Sequence, residues 1–439
     1  MNKKLFFLFA LALTVLFSSC FKQKEKTNYN DESDFSVVVT GGDSVLILRY
    51  TGTQRTVNIP PKIQGKEVTG IGEMAFWNNS ITFVTIPDSV LTIGDSAFLD
   101  CADLRSVTIG KGVIKISWSA FLNCKSLISI DIDESNTKYS SDNGVLYSKD
   151  KTYLYKYPAG QQASSFTAPN SVTRIEPFAF KYCMALKNLN LPESVTSISD
   201  DVFSECIGLI DINVDDNNTI YSSDDGILYN KEKTALLHYP AGKTDTSFTV
   251  PNSVTVIGKS AFEDCIALEI LNLGNNVSIF NESAFYHCVN LTAINVDNKN
   301  TKYSSANGVL YDKKKTALYR YPRGKQESSF TIPHTVTEIG VRAFWCCKNL
   351  KSVTIPKSVT VIQEGAFYYC DSLAEVTFEG IIREDYFSET ETFCGDLRKK
   401  YIESGAGTYT AENPGLEAEW STGKKNRERD IWSLGEYYD

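Results

Sequence analysis

The sequence predicts a solenoid, in which short coils of chain stack on one another and their strands form one parallel sheet. An Ala-Phe step, once replaced by Val-Phe, recurs nine times along the 439 residues. From the second occurrence onward the spacing of its phenylalanines alternates between 23 and 59, so the pattern returns after 82. A short alternation of apolar and polar residues follows each step, which is the period of a half-buried strand. The nine phenylalanines are Phe76, Phe98, Phe121, Phe180, Phe203, Phe262, Phe285, Phe344 and Phe367.

Each repeat unit contains the parts of one coil in a fixed order. After the alternating strand, as at Val353 and Ile355, a proline such as Pro356 ends the strand because it cannot donate a hydrogen bond to a ladder. The segment Ser-Val-Thr-x-Ile then returns the chain to the next Ala-Phe step. This 23-residue unit has the length of a leucine-rich repeat, roughly 20–29 residues. Residues 57–380 are therefore predicted to form one right-handed leucine-rich-repeat solenoid of the α/β repeat class, with about thirteen short strands.

Three coils are longer than the others. Each 59-residue interval contains one ordinary coil and one 36-residue coil, from 132 to 168, 214 to 250 and 296 to 332. The long coils replace Ala-Phe-x-x-Cys by the tyrosine-rich segments YSSDNGVLY, YSSDDGILY and YSSANGVLY. The pairs Asn143-Gly144, Asp225-Gly226 and Asn307-Gly308 lie between apolar alternations, a strong signal for a tight hairpin turn. The long coils are therefore predicted to contain β-hairpins.

The ends of the array need caps, because a terminal coil leaves its apolar edge uncovered. The alternating segment 35–56 is predicted to form the N-terminal cap. The segment 381–410 has helical spacing at Leu397, Tyr401 and Ile402 and is predicted to form the C-terminal cap. Residues 20–34 are polar and predicted to be a flexible tether, and residues 411–439 a loosely held polar tail.

Residues 1–19 have the composition of an export signal. Two lysines precede an apolar run from 5 to 17, which is too short for a membrane-spanning helix. Two serines and Cys20 follow and resemble the bacterial lipoprotein lipobox, although Phe17 stands where its strictest form has leucine. The resemblance implies that the Cys20 thiol is acylated and that a membrane is a partner through this anchor. The alternative is an ordinary signal peptide with an incidental cysteine.

The repeat itself resembles a known family. Units of the form SVTxIGxxAFxxCxxLxxVxIP, with long coils of the type DGILYNKEKTALLHYPAGK, are similar to the BspA-like leucine-rich repeats of surface lipoproteins from host-associated bacteria. The similarity covers roughly residues 35 to 410. It implies display at the outer membrane or cell surface and adhesion to host matrix or plasma proteins, or to other bacteria.

Several classes of function are disfavoured. A net charge of −9 argues against a nucleic-acid partner, which requires basic stripes. The histidines, His238, His287 and His334, lie at three different phases of the repeat, and His238 corresponds to Lys156 and Arg320 in the other long coils. Such interchangeable positions predict exposed surface and not a general base. No nucleophile, base and orienting group are arranged for catalysis, so an enzyme is not predicted.

Eight of the eleven cysteines share one repeat position, which predicts an inward ladder of reduced, buried thiols. Disulfides between neighbouring coils, as Cys101 to Cys124, are the alternative. Cys346 and Cys394 lie off this ladder without an assigned role. No cofactor or metal is predicted: the cysteines lack the paired ligands of a zinc site, and the aspartates at 215, 216, 224 and 225 suit an ordinary turn better than calcium. The ladder consists of Cys101, Cys124, Cys183, Cys206, Cys265, Cys288, Cys347 and Cys370.

Two sets of residues are candidate ligand contacts. The first is the outward position between the apolar residues of each strand, which is almost always Thr or Asn, as at Thr108, Asn190, Asn213, Asn272, Asn295 and Thr354. Such a line either stabilises the sheet, by ~0.2–1 kcal/mol per pair, or forms a polar strip on which a partner lies. The second set is Tyr147, Tyr229 and Tyr311, predicted to be exposed on the long coils. The leading hypothesis is an adhesin or protein-binding scaffold, and the alternative is capture of a glycan or small ligand by stacking on these tyrosines.

Overall fold

Each ordinary coil has three sides that enclose a common apolar core. We obtained a computed structural model that describes residues 28–389, 392–415 and 417–422. In each coil a front strand of three or four residues is followed by a back strand of usually two residues and then by a turn segment that contains the Ala-Phe-x-x-Cys step. Front strands pair in parallel with front strands, and back strands with back strands. The predicted leucine-rich-repeat solenoid is confirmed.

The front strands number thirteen, as predicted. They do not form one continuous sheet, because the tip of each hairpin lies beside the last front strand before it. The amide of Ile130, for example, donates to the carbonyl of Gly144 at 2.9 Å, and the other two hairpin tips repeat this contact. The front sheet therefore consists of four segments, with four, three, three and three strands of the array. The strands are Thr56–Asn58, Phe83–Ile86, Ser106–Ile109, Ser129–Ile132; Ser165–Thr167, Asn188–Leu191, Asp211–Val214; Ser247–Thr249, Ile270–Leu273, Ala293–Val296; Ser329–Thr331, Ser352–Ile355 and Glu375–Phe378.

The back strands are short, and helices are scarce. Each turn segment has a residue with a left-handed backbone two positions after its phenylalanine, such as Asp100 (φ 59°) and Tyr182 (φ 65°). This conformation ends any right-handed helix, so turns stand where other α/β repeats have helices. The described residues contain one α-helix, Leu397–Ser404, and the 3₁₀ turns Glu32–Asp34, Glu282–Phe285 and Glu384–Tyr386. The back strands are Lys66–Ile71, Thr92–Ile93, Lys115–Ile116, Arg174–Ile175, Ser197–Ile198, Val256–Ile257, Ile279–Phe280, Glu338–Ile339 and Val361–Ile362, and Lys62–Ile63 pairs with the first of them.

The long coils contain the predicted hairpins. Asn143 (φ 49°) and Gly144 (φ 79°) both have left-handed backbones, as a tight hairpin turn requires. A β-carbon on Gly144 would lie 2.8 Å from the Cα of Ser129, so the tip reaches the front strand only as glycine. The third strand of each long coil pairs in parallel with the next back strand. The strands are Tyr139–Asp142, Val145–Ser148 and Tyr153–Lys156; Tyr221–Asp224, Ile227–Asn230 and Ala235–His238; Tyr303–Ala306, Val309–Asp312 and Ala317–Arg320.

A buried asparagine fixes the entry to each long coil. Asn136 is 1% exposed, and its side-chain amide donates to the carbonyls of Gly110 and Val113 in the preceding coil, at 3.2 and 2.9 Å. Its side-chain oxygen accepts from the amides of Lys138 and Tyr139, both at 2.8 Å. Asn218 and Asn300 have the same role in the other long coils. Sequence reasoning did not identify these residues, because a polar residue after an acidic run is equally typical of an exposed turn.

The core is organised around a column of aromatic rings. The Ala-Phe phenylalanines of neighbouring coils stack, with centroid distances between 4.5 Å for Phe344–Phe367 and 6.0 Å for Phe180–Phe203. Where a long coil has no phenylalanine, a buried tyrosine takes its place: Tyr157 lies 5.5 Å from Phe180, and Tyr239 and Tyr321 occupy the equivalent positions. Each of these tyrosines therefore packs its ring against the phenylalanine of the coil that follows it.

Both ends are more ordered than the sequence indicated. The strands Phe35–Gly41 and Ser44–Tyr50 form a hairpin that joins the first back strand, as the N-terminal cap requires. Within the predicted tether, however, Asn30 is buried and its side-chain oxygen accepts from the amide of Asn58 at 2.8 Å, so residues 28–34 belong to the cap. Within the predicted tail, strand Trp420–Thr422 pairs with Gly407–Ala411. The cap therefore extends beyond residue 410 because the Trp420 side chain, 3% exposed, covers its core.

We expect Phe262→Ala to lower the free energy of unfolding by about 3–5 kcal/mol, because the fully buried ring leaves a cavity that a stacked column cannot close. Ile266→Ala, four residues later in the same turn segment and 44% exposed, is the matched control, with an expected change within about 0.5 kcal/mol. Urea unfolding followed by circular dichroism measures both. Equal midpoints for the two variants would show that the column is not the core.

Candidate binding surface

The outward residues of the front strands form a row, here called the front row, whose side chains hydrogen-bond to one another in the two central segments of the sheet. The amide of Asn190 donates to the hydroxyl of Thr167 at 3.0 Å, and that of Asn213 donates to the Asn190 oxygen at 3.2 Å. The next segment repeats this, with Asn272 to Thr249 at 3.2 Å and Asn295 to Asn272 at 3.0 Å. The sheet-stabilising interpretation of this row is therefore supported by its geometry.

The same row remains accessible. Thr108, Asn213 and Asn295 are exposed, and Asn190 and Asn272 are half-buried. Thr354 is also half-buried. One hydrogen bond along the row leaves each asparagine amide with further donor and acceptor capacity toward solvent. The front row is thus an accessible polar surface with one charged member, Asp131, and its spacing within each segment equals that of the strands, ~4.8 Å.

The tyrosines proposed as exposed contacts are buried, which corrects the prediction. Tyr147, Tyr229 and Tyr311 are 1%, 2% and 1% exposed. Each lies on the middle one of the three strands of its long coil, which pairs with the other two strands. In the first long coil all four residues of this middle strand are buried, so neither of its faces contacts solvent. Burial raises the pKa of Tyr229 and Tyr311 to about 12. These rings are not available to a ligand.

The equivalent positions Lys156, His238 and Arg320 are also buried, at 8%, 6% and 5% exposure, whereas the sequence predicted exposed surface. The Lys156 ammonium donates to the carbonyl of Phe178 at 3.0 Å, and the His238 ring lies 4.8 Å from that of Phe203. The position accepts three different residues because all three are long or flat enough to fill the join between a long coil and its neighbours. Interchangeability here reflects a tolerant interior and not exposure.

The ten cysteines of the described residues are free and buried. Each ladder thiol donates to the carbonyl of an aromatic residue in the preceding coil, as Cys206 does to Phe180 at 2.7 Å and Cys370 to Phe344 at 3.0 Å. Burial raises the pKa of Cys101 to about 12, which makes this thiol a poor nucleophile. Cys394 is also buried and directly follows Phe393, whose ring stacks on that of Phe367. Cys346 is buried beside the ladder.

The remaining candidate groups are dispersed. His287 is partly exposed and its Nδ1 lies 3.0 Å from the Asp264 carboxylate, a contact that raises its pKa. Asp224 and Asp225 pair with lysines at 2.9 and 3.0 Å, as turn aspartates do. Within the described ranges, no group of three or more His, Cys, Asp or Glu is placed to hold a metal ion.

The buried histidine predicts a dependence of stability on pH. Burial lowers the pKa of His238 to about 4, below its ordinary value of 6.5, so the unfolded chain binds the proton first as pH falls. Between pH 6.5 and pH 4 we therefore expect the free energy of unfolding of the parent to fall by about 3 kcal/mol relative to that of His238→Leu. Burial raises the pKa of Glu263 to about 7, which gives the opposite slope, but this group is common to both proteins and cancels. Urea unfolding at four pH values measures the difference, and parallel curves would contradict it.

With the geometry established, comparisons with known proteins identify the repeat. Six copies of the BspA type leucine rich repeat region match residues 56–147, 153–239, 241–307 and 323–400. A search of curated proteins gives no match. In the described residues, no helix has both the length and the apolar character to cross a membrane.

Several solved bacterial structures are similar to the chain. A leucine rich cell surface protein of Faecalibacterium prausnitzii is 26% identical over 80% of this chain and 94% of its own, with a TM-score of 0.45. The pneumococcal vaccine antigen PcpA is 18% identical over 83% and 88%, with a TM-score of 0.41. A leucine-rich repeat protein of Eubacterium ventriosum is 23% identical over 83% and 98%, with a TM-score of 0.39. The repeat match extends over most of the solenoid, and the chain belongs to the BspA type leucine rich repeat family.

Proposed function

We propose that this chain is a lipid-anchored adhesin or protein-binding scaffold of the cell surface or outer membrane. Its partners in this proposal are host matrix or plasma proteins, or proteins of other cells. Membership of a family of bacterial surface repeats supports display outside the cell. Solenoids bury one continuous core and present long regular surfaces, which suits binding of extended partners and not a single reaction centre.

The observation that carries the proposal is the front row. Its side chains are held in place by hydrogen bonds to one another, so a partner that binds there orders few additional groups. Asn213 and Asn295 end two of the hydrogen-bonded runs and are exposed. A partner that supplies donors and acceptors at strand spacing complements this row.

A protein partner is favoured over a glycan by the position of the aromatic rings. Glycan capture by stacking requires an open aromatic face. The rings assigned to that role, Tyr147, Tyr229 and Tyr311, are buried. The hydrogen-bonded runs of the front row contribute amides and hydroxyls, and the exposed ring of Phe83 lies on a front strand outside these runs.

The binding role predicts a specific loss. A panel of matrix and plasma proteins is first screened for binding to the parent by biolayer interferometry. Asn213→Arg combined with Asn295→Arg places two bulky cations on the front row, and we expect at least a tenfold weaker affinity of this double variant for the protein that the parent binds. Asn217→Arg with Asn298→Arg, in exposed loops outside the row, is the matched control and should bind within twofold of the parent. Equal affinity of both double variants would exclude the front row, and the absence of any protein ligand alongside binding on a glycan array would reverse the choice of partner class.

The anchor is tested separately at Cys20, which lies outside the described residues. We expect Cys20→Ser to move the protein from the membrane fraction to the soluble fraction, because the acyl attachment atom is lost. Phe17→Leu, which restores the strict lipobox, should leave the protein in the membrane fraction. Sedimentation of Cys20→Ser with membranes after a high-salt wash would falsify the anchor, and protease treatment of intact cells tests surface display.

A further inference from the structure

The charge of the chain is divided into blocks that follow the 82-residue period. Residues 193–270 contain fourteen Asp and Glu against four Lys. The windows one period before and after, 111–188 and 275–352, contain six and five acidic residues against ten and eleven Lys and Arg. The central block therefore has a net charge of −10, between flanking blocks of +4 and +6.

These blocks act as separate surfaces at physiological salt. One period contains three front strands and a hairpin tip, which at ~4.8 Å each extends the solenoid by roughly 19 Å. This length exceeds the Debye length of about 8 Å, so the basic blocks do not cancel the acidic one for a partner that touches it.

A row of exposed aliphatic side chains, here called the turn-side row, crosses the acidic block at Ile207 and Ile266 and ends one coil beyond it on each side. It consists of the residues directly after four ladder cysteines: Met184, Ile207, Ile266 and Val289, which are 50%, 38%, 44% and 37% exposed. In the ordinary coils immediately outside these four, the same repeat position is Lys125 and Lys348. The apolar row is therefore confined to the centre of the solenoid.

The long coil does not interrupt this row with a free charge. Its residue at the matching position, Lys243, has a side chain that is only 7% exposed and donates to Asp225 at 3.0 Å. The ordinary coils before and after the long coil also contact each other through their turn segments. The amide of Glu205 in one donates to the Asp264 carboxylate in the other at 2.8 Å. The exposed Glu269 lies three residues after Ile266, on the side toward the front strands.

We propose that the turn-side row of the acidic block binds a basic amphipathic helix of a partner protein. The row extends roughly 20 Å along the solenoid axis, which corresponds to about 13 helical residues at ~1.5 Å per residue. A helix with aliphatic residues at positions i, i+3 or i+4 and i+7 places them on the row, and its lysines and arginines then face the surrounding carboxylates. Charge also decides against a second copy of this chain, since pairing in register in either direction brings acidic block against acidic block.

The test uses the 14-residue peptide LKKLLKLLKKLLKL, labelled with fluorescein, and the full chain, with anisotropy measured at 0.15 M NaCl. A permuted peptide of the same composition, whose leucines do not share one helix face, is the peptide control. We expect the amphipathic peptide to bind at least tenfold more tightly than the permuted one, and its affinity to fall at least threefold at 0.5 M NaCl. Equal affinity of the two peptides would overturn the proposal, because only the net charge would then be recognised.

Matched variants locate the site. Ile207→Ser with Ile266→Ser should weaken the amphipathic peptide at least tenfold, whereas Ile114→Ser with Ile279→Ser, which removes two isoleucines of 51% and 58% exposure elsewhere, should change affinity less than twofold. Glu269→Lys should weaken binding of the amphipathic peptide severalfold, whereas Glu379→Lys, outside the acidic block, should leave the affinity unchanged. Equal losses in the two isoleucine variants place the peptide elsewhere and refute the site. If the chain forms concentration-dependent dimers in sedimentation and Ile207→Ser abolishes them, the occupant of the row is a second, staggered copy of this chain and not a helix of a partner. All these variants leave the front row intact, so failure here is independent of the function proposed above.

Discussion

Stacking of one coil on the next is the constraint on which the rest of this structure depends. An ordinary coil has a core only a few side chains wide, so its apolar residues lose their contact with water only when a neighbour covers them. The aromatic column provides this contact in every ordinary coil, and the thiol of the same turn segment donates to a backbone carbonyl of the coil before. The repeat positions of the aromatic column and the cysteine ladder are therefore nearly invariant.

The long coils show what this constraint requires when a coil is lengthened. Tyr157 and its two counterparts replace phenylalanine and pack against the coil that follows, and a buried asparagine such as Asn218 fixes the start of each long coil on the coil before. The extra length leaves the stack as a hairpin, and its tip interrupts the front sheet. Each join between a long coil and its neighbours consequently buries an ionisable group. At the first join the Lys156 ammonium donates a hydrogen bond to a backbone carbonyl, which offsets part of its loss of solvation.

Two surfaces of different chemistry result. The front row consists of Thr and Asn except at Asp131, because strand pairing selects small polar residues that hydrogen-bond to their equivalents in the next coil. The turn segments face no pairing partner on their outer side and diverge from copy to copy, which allows the acidic block to arise in the central copy and the turn-side row to arise across it. A uniform surface suits an extended partner with a repeating backbone, and a local one suits a compact partner.

The sequence by itself determined the solenoid, the thirteen front strands, the hairpin turns at Asn143 and its equivalents, and the buried cysteine ladder, because each is a local pattern repeated many times. Only the tertiary structure decided that both faces of the middle strand of a long coil are buried: the neighbours Leu228 and Tyr229 are 1% and 2% exposed, and the local pattern alone does not reveal this. The same holds for His238, whose variation between copies suggested exposure until its packing was visible. The burial of residues in the two caps was also not predictable from local pattern. Asn30 and Trp420 lie in polar segments and become buried only through contacts with segments distant in sequence. Periodicity therefore reveals the coil, whereas burial at joins and ends depends on contacts between segments that no local pattern records.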